Sequence, residues 1–312
     1  MAAAVAPATG NPSDDNPVLA LILRIAGIAA FGTMAMFIKL ASESGIHIVE
    51  IVFWRQAVSV PILLGWAMLA GGLSTLRTAR PRSHAIRAGY GLVGMAFNFG
   101  GVILLPLAEA TTFNFTSSIW AVILSATLLG EHVGKWRWSA VIAGFAGVLV
   151  IAQPGGGHVP LVGALVALGG AFMLALISIQ IRDLSRTDKP MVIVFWFAFT
   201  SVVVTAPVLP FVATEHTSTQ WLILLGIGLA GTAGQVLVTL ALRYGEVSSV
   251  IVMDYSGLIW ATLYGWLIFA TLPTVWTWLG APLVVLAGII ITWRESILRR
   301  RRLRDRHEVI GG

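Results

Sequence analysis

The sequence predicts an all-α integral membrane protein in which ten transmembrane helices form two inverted five-helix repeats around a central cavity. Three observations lead to this fold class. Hydrophobic residues make up 57% of the 312 residues and charged residues only 11%, whereas about a quarter of a typical soluble domain is charged. The apolar residues fall into ten runs. Motifs from the first half of the chain also recur in the second half.

The apolar runs have the length of membrane-spanning helices, since a bilayer core of about 30 Å needs roughly 20 residues. The fourth and fifth runs are short, and no gap between runs could hold a soluble domain. We expect a disordered cytoplasmic tail at 1–17, repeats at 18–153 and 160–294, and a basic cytoplasmic tail at 295–312. The ten runs are Val18–Leu40, Ile46–Ala70, Ala85–Leu105, Thr111–Leu129, Trp138–Ala152, Leu161–Ile181, Met191–Val212, Trp221–Leu242, Val247–Ala270 and Val275–Trp293.

Basic residues mark one side of the predicted bundle. Lys and Arg occupy the gaps after the second, fourth, sixth, eighth and tenth runs, and the other gaps carry neither. The positive-inside rule then predicts cytoplasmic termini in the cell inner membrane. The pI of about 10.3 therefore reflects membrane topology and not nucleic-acid binding. The arginine cluster after the tenth run is expected to contact anionic lipid head groups.

The internal repeat is clearest in two pairs of corresponding tripeptides. Ile119-Trp120-Ala121 corresponds to Ile259-Trp260-Ala261, and Asn114-Phe115-Thr116 corresponds to Asp254-Tyr255-Ser256. Since each half has an odd number of helices, the second half enters the membrane from the opposite side. Inverted halves of this kind are typical of transporters, with the substrate site between them.

Several of these motifs resemble the drug/metabolite transporter (DMT) superfamily, and within it the EamA family. The similarity runs from about Ala26 to Arg294. It implies a ten-helix bundle of inverted repeats that moves small polar metabolites, often amino acids or related compounds. The motifs that carry it are Phe53-Trp54-Arg55, Leu128-Leu129-Gly130-Glu131, Arg137-Trp138, Gly144-Phe145-Ala146-Gly147-Val148 and Asp254-Tyr255.

Two positions depart from the family pattern. The family usually closes its ninth helix with Phe-Gly-Glu, but this chain has Phe269-Ala270-Thr271, so Glu131 lacks a counterpart. The proline that is common midway along the fourth helix is Ser118 here, which predicts a straighter helix.

Arg55 and Asp254 are the charged residues that we place well inside an apolar run. A charge at that depth costs about 2.5–3.5 kcal/mol on the lenient insertion scale. Asp254 is predicted to bind a substrate amine or a proton, and Arg55 to bind a carboxylate or pair with Asp254. A fixed structural Arg55–Asp254 pair is the alternative. Asp254 is the best candidate for proton coupling, because burial favours a protonated carboxyl unless Arg55 keeps it ionised.

Polar and aromatic residues complete the predicted substrate site. By the repeat symmetry, Asn98 and Gln235 are expected to face each other, as substrate ligands or as a contact between helices. The aromatic candidates are either cavity walls that stack on a substrate or lipid-facing packing. The full predicted set of substrate-binding residues is Trp54, Arg55, Asn98, Asn114, Trp120, Gln235, Asp254, Tyr255 and Trp260.

Charged residues near helix ends are candidates for gates. Lys39, Glu50 and Glu109 lie near the predicted outer ends, where an outer gate of ion pairs competes with solvated side chains. Glu131 lies at the predicted inner end beside Lys135, as a gate pair or as a loop salt bridge.

The sequence favours a secondary carrier over an enzyme. Cysteines are absent, as are the sequence patterns of ATP-binding loops and of common hydrolases. We therefore expect no enzymatic activity, no cofactor and no metal site. A channel and a non-transporting receptor or assembly subunit remain as alternatives. An acid and a base in one cavity favour a zwitterionic substrate such as an amino acid. The sequence leaves monomer and homodimer open.

Overall fold

The computed structural model describes residues 16–128, 130, 133–153, 159–244 and 252–310. Regular structure in these ranges is entirely helical. Most of the predicted N-terminal tail, and Glu131, lie outside them. We number the α-helices α1 Pro17–Glu43, α2 Ile48–Leu69, α3 Pro81–Leu104, α4 Leu107–Phe115, α5 Ser117–Leu128, α6 Lys135–Ala152, α7 Leu161–Leu184, α8 Pro190–Thr205, α9 Leu209–Val212, α10 Ser218–Tyr244, α11 Gly257–Phe269 and α12 Val275–Ile310. Short 3₁₀ turns occupy 73–76, 206–208 and 253–256.

Seven segments of the described chain are long and apolar enough to cross a membrane. The predicted third, fourth and ninth spans are not among them. The third, α3, is less apolar because it carries Arg87, Asn98 and several glycines. The fourth is divided into α4 and α5, and part of the ninth lies outside the described residues. The ten-helix count therefore stays a prediction.

The fourth predicted helix is not straight, contrary to what Ser118 suggested. It is interrupted at Thr116, between α4 and α5. The Thr116 hydroxyl donates to the Phe113 carbonyl at 2.6 Å, and the Ser118 hydroxyl donates to the Phe115 carbonyl at 3.0 Å. Hydroxyls that bond to nearby carbonyls compete with the helical ladder and bend it. The bend lies between Asn114 and Trp120, two predicted site residues.

Three helix pairs form the most extensive contacts, namely α1 with α10, α3 with α7, and α6 with α12. Glycines let their backbones approach closely, as is typical of membrane helices. A Cβ on Gly147 of α6 would lie 2.8 Å from the Gly280 carbonyl oxygen of α12. A Cβ on Gly27 of α1 would lie 2.8 Å from the Val238 side chain of α10. These contacts hold the first half of the chain against the second.

The start of α1 is fixed by its cap and by α10. The Asn16 side chain accepts a hydrogen bond from the Leu19 amide, and Pro17 occupies the first helical turn, where its missing N–H carries no penalty. The Asn16 amide also donates to the Tyr244 carbonyl at 3.1 Å. The first turns of α1, which carry Arg24, are thereby held against the end of α10.

The last helix is longer than the sequence predicted. Its apolar run ends near Trp293, yet α12 continues to Ile310. The arginine-rich stretch is therefore helical up to that residue. Leu, Arg and Glu have high helix propensity, which accounts for the extension.

The α6–α12 contact predicts opposite effects for two Gly→Ala substitutions. Gly147→Ala places a methyl group against backbone, and we expect a loss of about 1–3 kcal/mol of stability from overpacking. Gly65→Ala in α2 is the matched control, because nothing lies within 4 Å of its Cβ position, and it should stabilise by about 0.5–1 kcal/mol. Thermal unfolding of the purified variants in detergent measures both. Equal melting temperatures would contradict the close contact.

Candidate functional site

Asp254 forms a buried ion pair with Arg24. Arg24 Nε lies 2.6 Å from Asp254 Oδ1, and Nη2 lies 2.6 Å from Oδ2. The Arg24 side chain is 1% exposed and that of Asp254 is 11% exposed. Two parallel charge-assisted bonds of this length make a strong and directional contact. The pair joins α1 to the 253–256 turn that precedes α11.

The partner of Asp254 is therefore Arg24. The alternative in which Arg55 pairs with Asp254 is wrong. Arg24 lies seven residues from the start of α1, close enough to the helix start to be taken for a side chain that reaches the membrane surface. A signal was nevertheless present, since Arg24 is the one charged residue between Val18 and Ile38.

Arg55 lies on α2 and faces α10. Its Nη1 donates to the Gln56 side-chain oxygen at 2.7 Å, and its Nε is buried without a hydrogen-bond partner. A Cβ on Gly231 of α10 would lie 3.3 Å from that Nε, so a glycine makes room for the guanidinium. Gln56 is itself 1% exposed and donates to Met95 Sδ. Arg55 therefore has a neutral partner and no acidic one within the described chain.

Arg87 of α3 is a further buried arginine that the sequence analysis did not single out. It is 8% exposed, and its guanidinium carbon lies 4.3 Å from the centre of the Phe197 ring. This cation–π contact covers one face of the guanidinium. Its Nε and Nη1 are buried and have no partner.

The amide residues pair differently from the prediction. Asn98 Nδ2 donates to Asn114 Oδ1 at 2.9 Å, which ties α3 to α4 within the first half. Asn98 thus bonds to Asn114 and not to Gln235. Gln235 is half-buried on α10, and its backbone carbonyl accepts a bond from Thr239. The facing arrangement of Asn98 and Gln235 therefore stays a prediction, without a hydrogen bond between them in the described chain.

The predicted aromatic site residues contact other rings. Tyr255, next to Asp254, packs edge-to-face on Phe115 with ring centres 4.9 Å apart. Trp120 contacts Phe145 and Phe172 edge-to-face, each at 5.4 Å, and its indole nitrogen is buried without a partner. Trp260 stacks on Tyr264 at 6.4 Å.

Two other tryptophans have structural partners. Trp54 packs on Trp221 at 5.0 Å. Trp196 donates from its indole nitrogen to the Leu76 carbonyl at 2.9 Å, which ties α8 to the 73–76 turn. Trp54 therefore packs against the first turn of α10.

The gate candidates Glu50 and Glu109 are buried, not solvated. Each is 1% exposed. Glu50 is bonded to His216, and Glu109 accepts from the Thr277 hydroxyl at 2.8 Å. Lys39 donates to the Leu105 carbonyl at 2.8 Å and lies over the Phe269 ring. These contacts join α1 to the end of α3, α2 to the segment before α10, and α4 to α12.

The opposite end of the bundle, which carries the basic connections, has its own polar cluster. His84 Nε2 lies 2.9 Å from Asp188 Oδ2, and Thr78 donates to the same oxygen at 3.0 Å. Arg80 pairs with Asp183 at 2.6 Å. Both ends of the helices are thus cross-linked by polar contacts. Within the described residues, no group of three or more acidic or histidine side chains is placed to bind a metal ion.

Comparisons with known proteins place this arrangement in a family. The family described as the EamA-like transporter family matches residues 18–153 and again residues 161–293. This confirms the resemblance drawn from the motifs. A riboflavin transporter of Vibrio cholerae is 28% identical over 291 residues, which cover 91% of this chain and 96% of that protein.

Other relatives have the same extent of similarity. A pseudopaline exporter of Pseudomonas aeruginosa is 28% identical and covers 87% of this chain and 95% of its own. An S-adenosylmethionine uptake transporter of Rickettsia felis is 26% identical, with 82% and 87% covered. A solved crystal structure with a TM-score of 0.58 and 19% identity covers 86% of this chain and 96% of its own, so it shares the fold. The chain therefore belongs to the EamA-like transporter family and is a multi-pass membrane protein.

Proposed function

We propose that this protein is a secondary carrier that moves a small polar organic molecule across the cytoplasmic membrane by alternating access. The family match over both halves of the chain is the observation that carries this proposal. The proposal includes ten transmembrane helices in two inverted repeats, with both termini in the cytoplasm. Inverted halves can exchange their conformations about an axis in the membrane plane, which opens the site to either side in turn.

The helix packing supports the inverted arrangement. If α1, α2, α3, α4–α5 and α6 are the five helices of the first half, α7, α8, α10, α11 and α12 are their counterparts. The α1–α10 pair joins the first helix of one half to the third of the other, and α7–α3 is the same pair with the halves exchanged. The remaining major pair, α6–α12, joins the two fifth helices. Exchange of the halves thus leaves the set of major contacts unchanged.

The proposed substrate site lies between the halves, around the Arg24–Asp254 pair. Asn114 and Asp254 occupy equivalent positions in the two halves. Asn98 is bonded to Asn114, and Tyr255 follows Asp254 in the sequence. Trp120 and Trp260 are the aromatic pair of the same repeat. We retain Arg55 and Gln235 as binding residues, and Lys39, Glu50, Glu109 and Glu131 as gate residues, within this proposal.

The substrate proposal is broader than an amino acid. The relatives are named for riboflavin, pseudopaline and S-adenosylmethionine, so the family accommodates different organic molecules. A site for a zwitterionic substrate needs an acid and a base that are both available to the substrate. Asp254 is instead paired with Arg24, so its carboxylate is not available to a substrate amine. An amino acid stays a candidate through its carboxylate.

Transport itself is tested by counterflow. Proteoliposomes loaded with an unlabelled compound should accumulate the same labelled compound transiently and saturably, for at least one member of a panel that includes riboflavin, S-adenosylmethionine and amino acids. Protein-free vesicles are the control. Flux that rises linearly without saturation would indicate a channel, and the absence of any flux after the panel is extended would contradict a carrier.

The Arg24–Asp254 pair predicts a non-additive mutant cycle. Asp254→Asn leaves Arg24 buried without a counter-charge, and Arg24→Gln does the same to Asp254, so each should destabilise the protein by about 3–5 kcal/mol. The double variant should recover a large part of that loss, because neither charge remains. Thermal unfolding of the four proteins measures the coupling. Additive losses would show that the two residues do not form a pair.

The same variants test whether Asp254 couples transport to protons. If protonation of Asp254 opens the pair during the cycle, the wild-type rate should depend on pH. Asp254→Asn should abolish both the transport and that dependence. An Asp254→Asn protein that transports at the wild-type rate with the wild-type pH profile would rule out this role.

A further inference from the structure

Among the described residues, the buried acidic side chains of the membrane body are engaged by groups other than Arg55 and Arg87. Asp254 is bonded to Arg24, Glu50 to His216, and Glu109 to the Thr277 hydroxyl. At the basic end, Asp183 is paired with Arg80 and Asp188 with His84. The other acids described between residues 16 and 294, Glu43 and Glu215, are exposed.

Arg55, which is half-buried, and Arg87, which is buried, are consequently cations without a protein counter-charge in the described chain. Three of their guanidinium nitrogens, Arg55 Nε and Arg87 Nε and Nη1, are buried and make no hydrogen bond. Native proteins rarely leave buried donors unpaired, and a buried cation without a partner is costlier than a neutral donor. An anion that visits both of them would satisfy these donors.

The two arginines lie at different depths, Arg55 nearer the middle of the bundle and Arg87 toward its basic end. A substrate that moves between these depths could contact each in turn. Arg55 lies seven residues from the first residue of α2, roughly 10 Å along the helix axis. Arg87 lies six residues from the first residue of α3, at the opposite end of the bundle. Phe197 covers one face of the Arg87 guanidinium, and the Nε and Nη1 atoms on its edge are buried without a partner among the described residues.

We propose that the transported substrate is an organic anion whose carboxylate or phosphate group is bound by Arg55 and Arg87. This inference rests on the proposed carrier function and adds the charge of the cargo. The Arg fork matches both acceptor groups, which it binds through two parallel hydrogen bonds. A cationic or neutral cargo would leave the two arginines uncompensated during transport.

The test sorts the cargo by charge without assuming its identity. Proteoliposomes of phosphatidylcholine are loaded with a polar metabolite extract, and the released compounds are identified by mass spectrometry against protein-free vesicles. We expect the wild type to release compounds with a net negative charge at pH 7. Arg55→Gln and Arg87→Gln should each slow that release at least about tenfold, since each removes one partner of a buried charge pair. Arg55→Lys, which keeps the charge without the fork, should be less impaired.

Arg80→Gln is the matched control. Arg80 lies at the start of the same α3 region but pairs with Asp183 on the surface, so its loss should leave release unchanged. Thermal unfolding of each variant in detergent confirms that it is folded. If Arg55→Gln does not fold, Arg55→Lys and Arg87→Gln carry the comparison.

Distinct results separate the failure of this inference from the failure of the carrier. Release of neutral or cationic compounds only, or of anions at the wild-type rate by both Gln variants, would overturn the inference and leave the carrier intact. No release by wild type would overturn both. If the Arg87→Gln effect appears only in vesicles that contain phosphatidylglycerol, Arg87 binds a lipid phosphate and its role in the cargo site is wrong.

Discussion

The interior of this protein depends on the compensation of buried charge. Each charged side chain in the membrane costs several kcal/mol unless it finds a partner. Arg24 and Asp254 meet that requirement together, through two 2.6 Å contacts across 230 residues of sequence. The close packing of α1 on α10 brings Arg24 to this position. Placement of the pair thus depends on glycine-mediated contacts between the two halves.

Charge compensation also distinguishes the middle of the bundle from its two ends. Each end has a histidine–carboxylate contact, Glu50–His216 at one and His84–Asp188 at the other. Both contacts join a helix of the first half to a connection of the second half, so a rocking motion of one half against the other would have to disturb them. Arg55, nearer the middle of the bundle, and Arg87, toward its basic end, have no acidic partner in the described chain. Under the proposal above, an anionic cargo would compensate these two charges.

The sequence was sufficient for the helical class and for the family, but not for the contacts of the candidate site. Apolar runs located the helices well, because length and hydropathy decide membrane insertion. The bend at Thr116 was missed, since it depends on hydroxyl–carbonyl bonds and not on a proline. The Arg24–Asp254 pair was missed because depth along one helix does not say which neighbour it faces. The sequence could not predict that Arg55 and Arg87 lack an acidic partner, because this depends on which group each described acidic residue binds.

The most direct test of this account is the thermal stability of the empty protein in detergent at low ionic strength. If Arg55 and Arg87 are uncompensated, the double variant Arg55→Met/Arg87→Met should unfold at or above the wild-type temperature, because two charges without counter-charges are gone. Asp254→Asn should unfold well below it, because it breaks a satisfied pair. A double-Met variant as destabilised as Asp254→Asn would show that the two arginines already have structural partners, and would contradict the account.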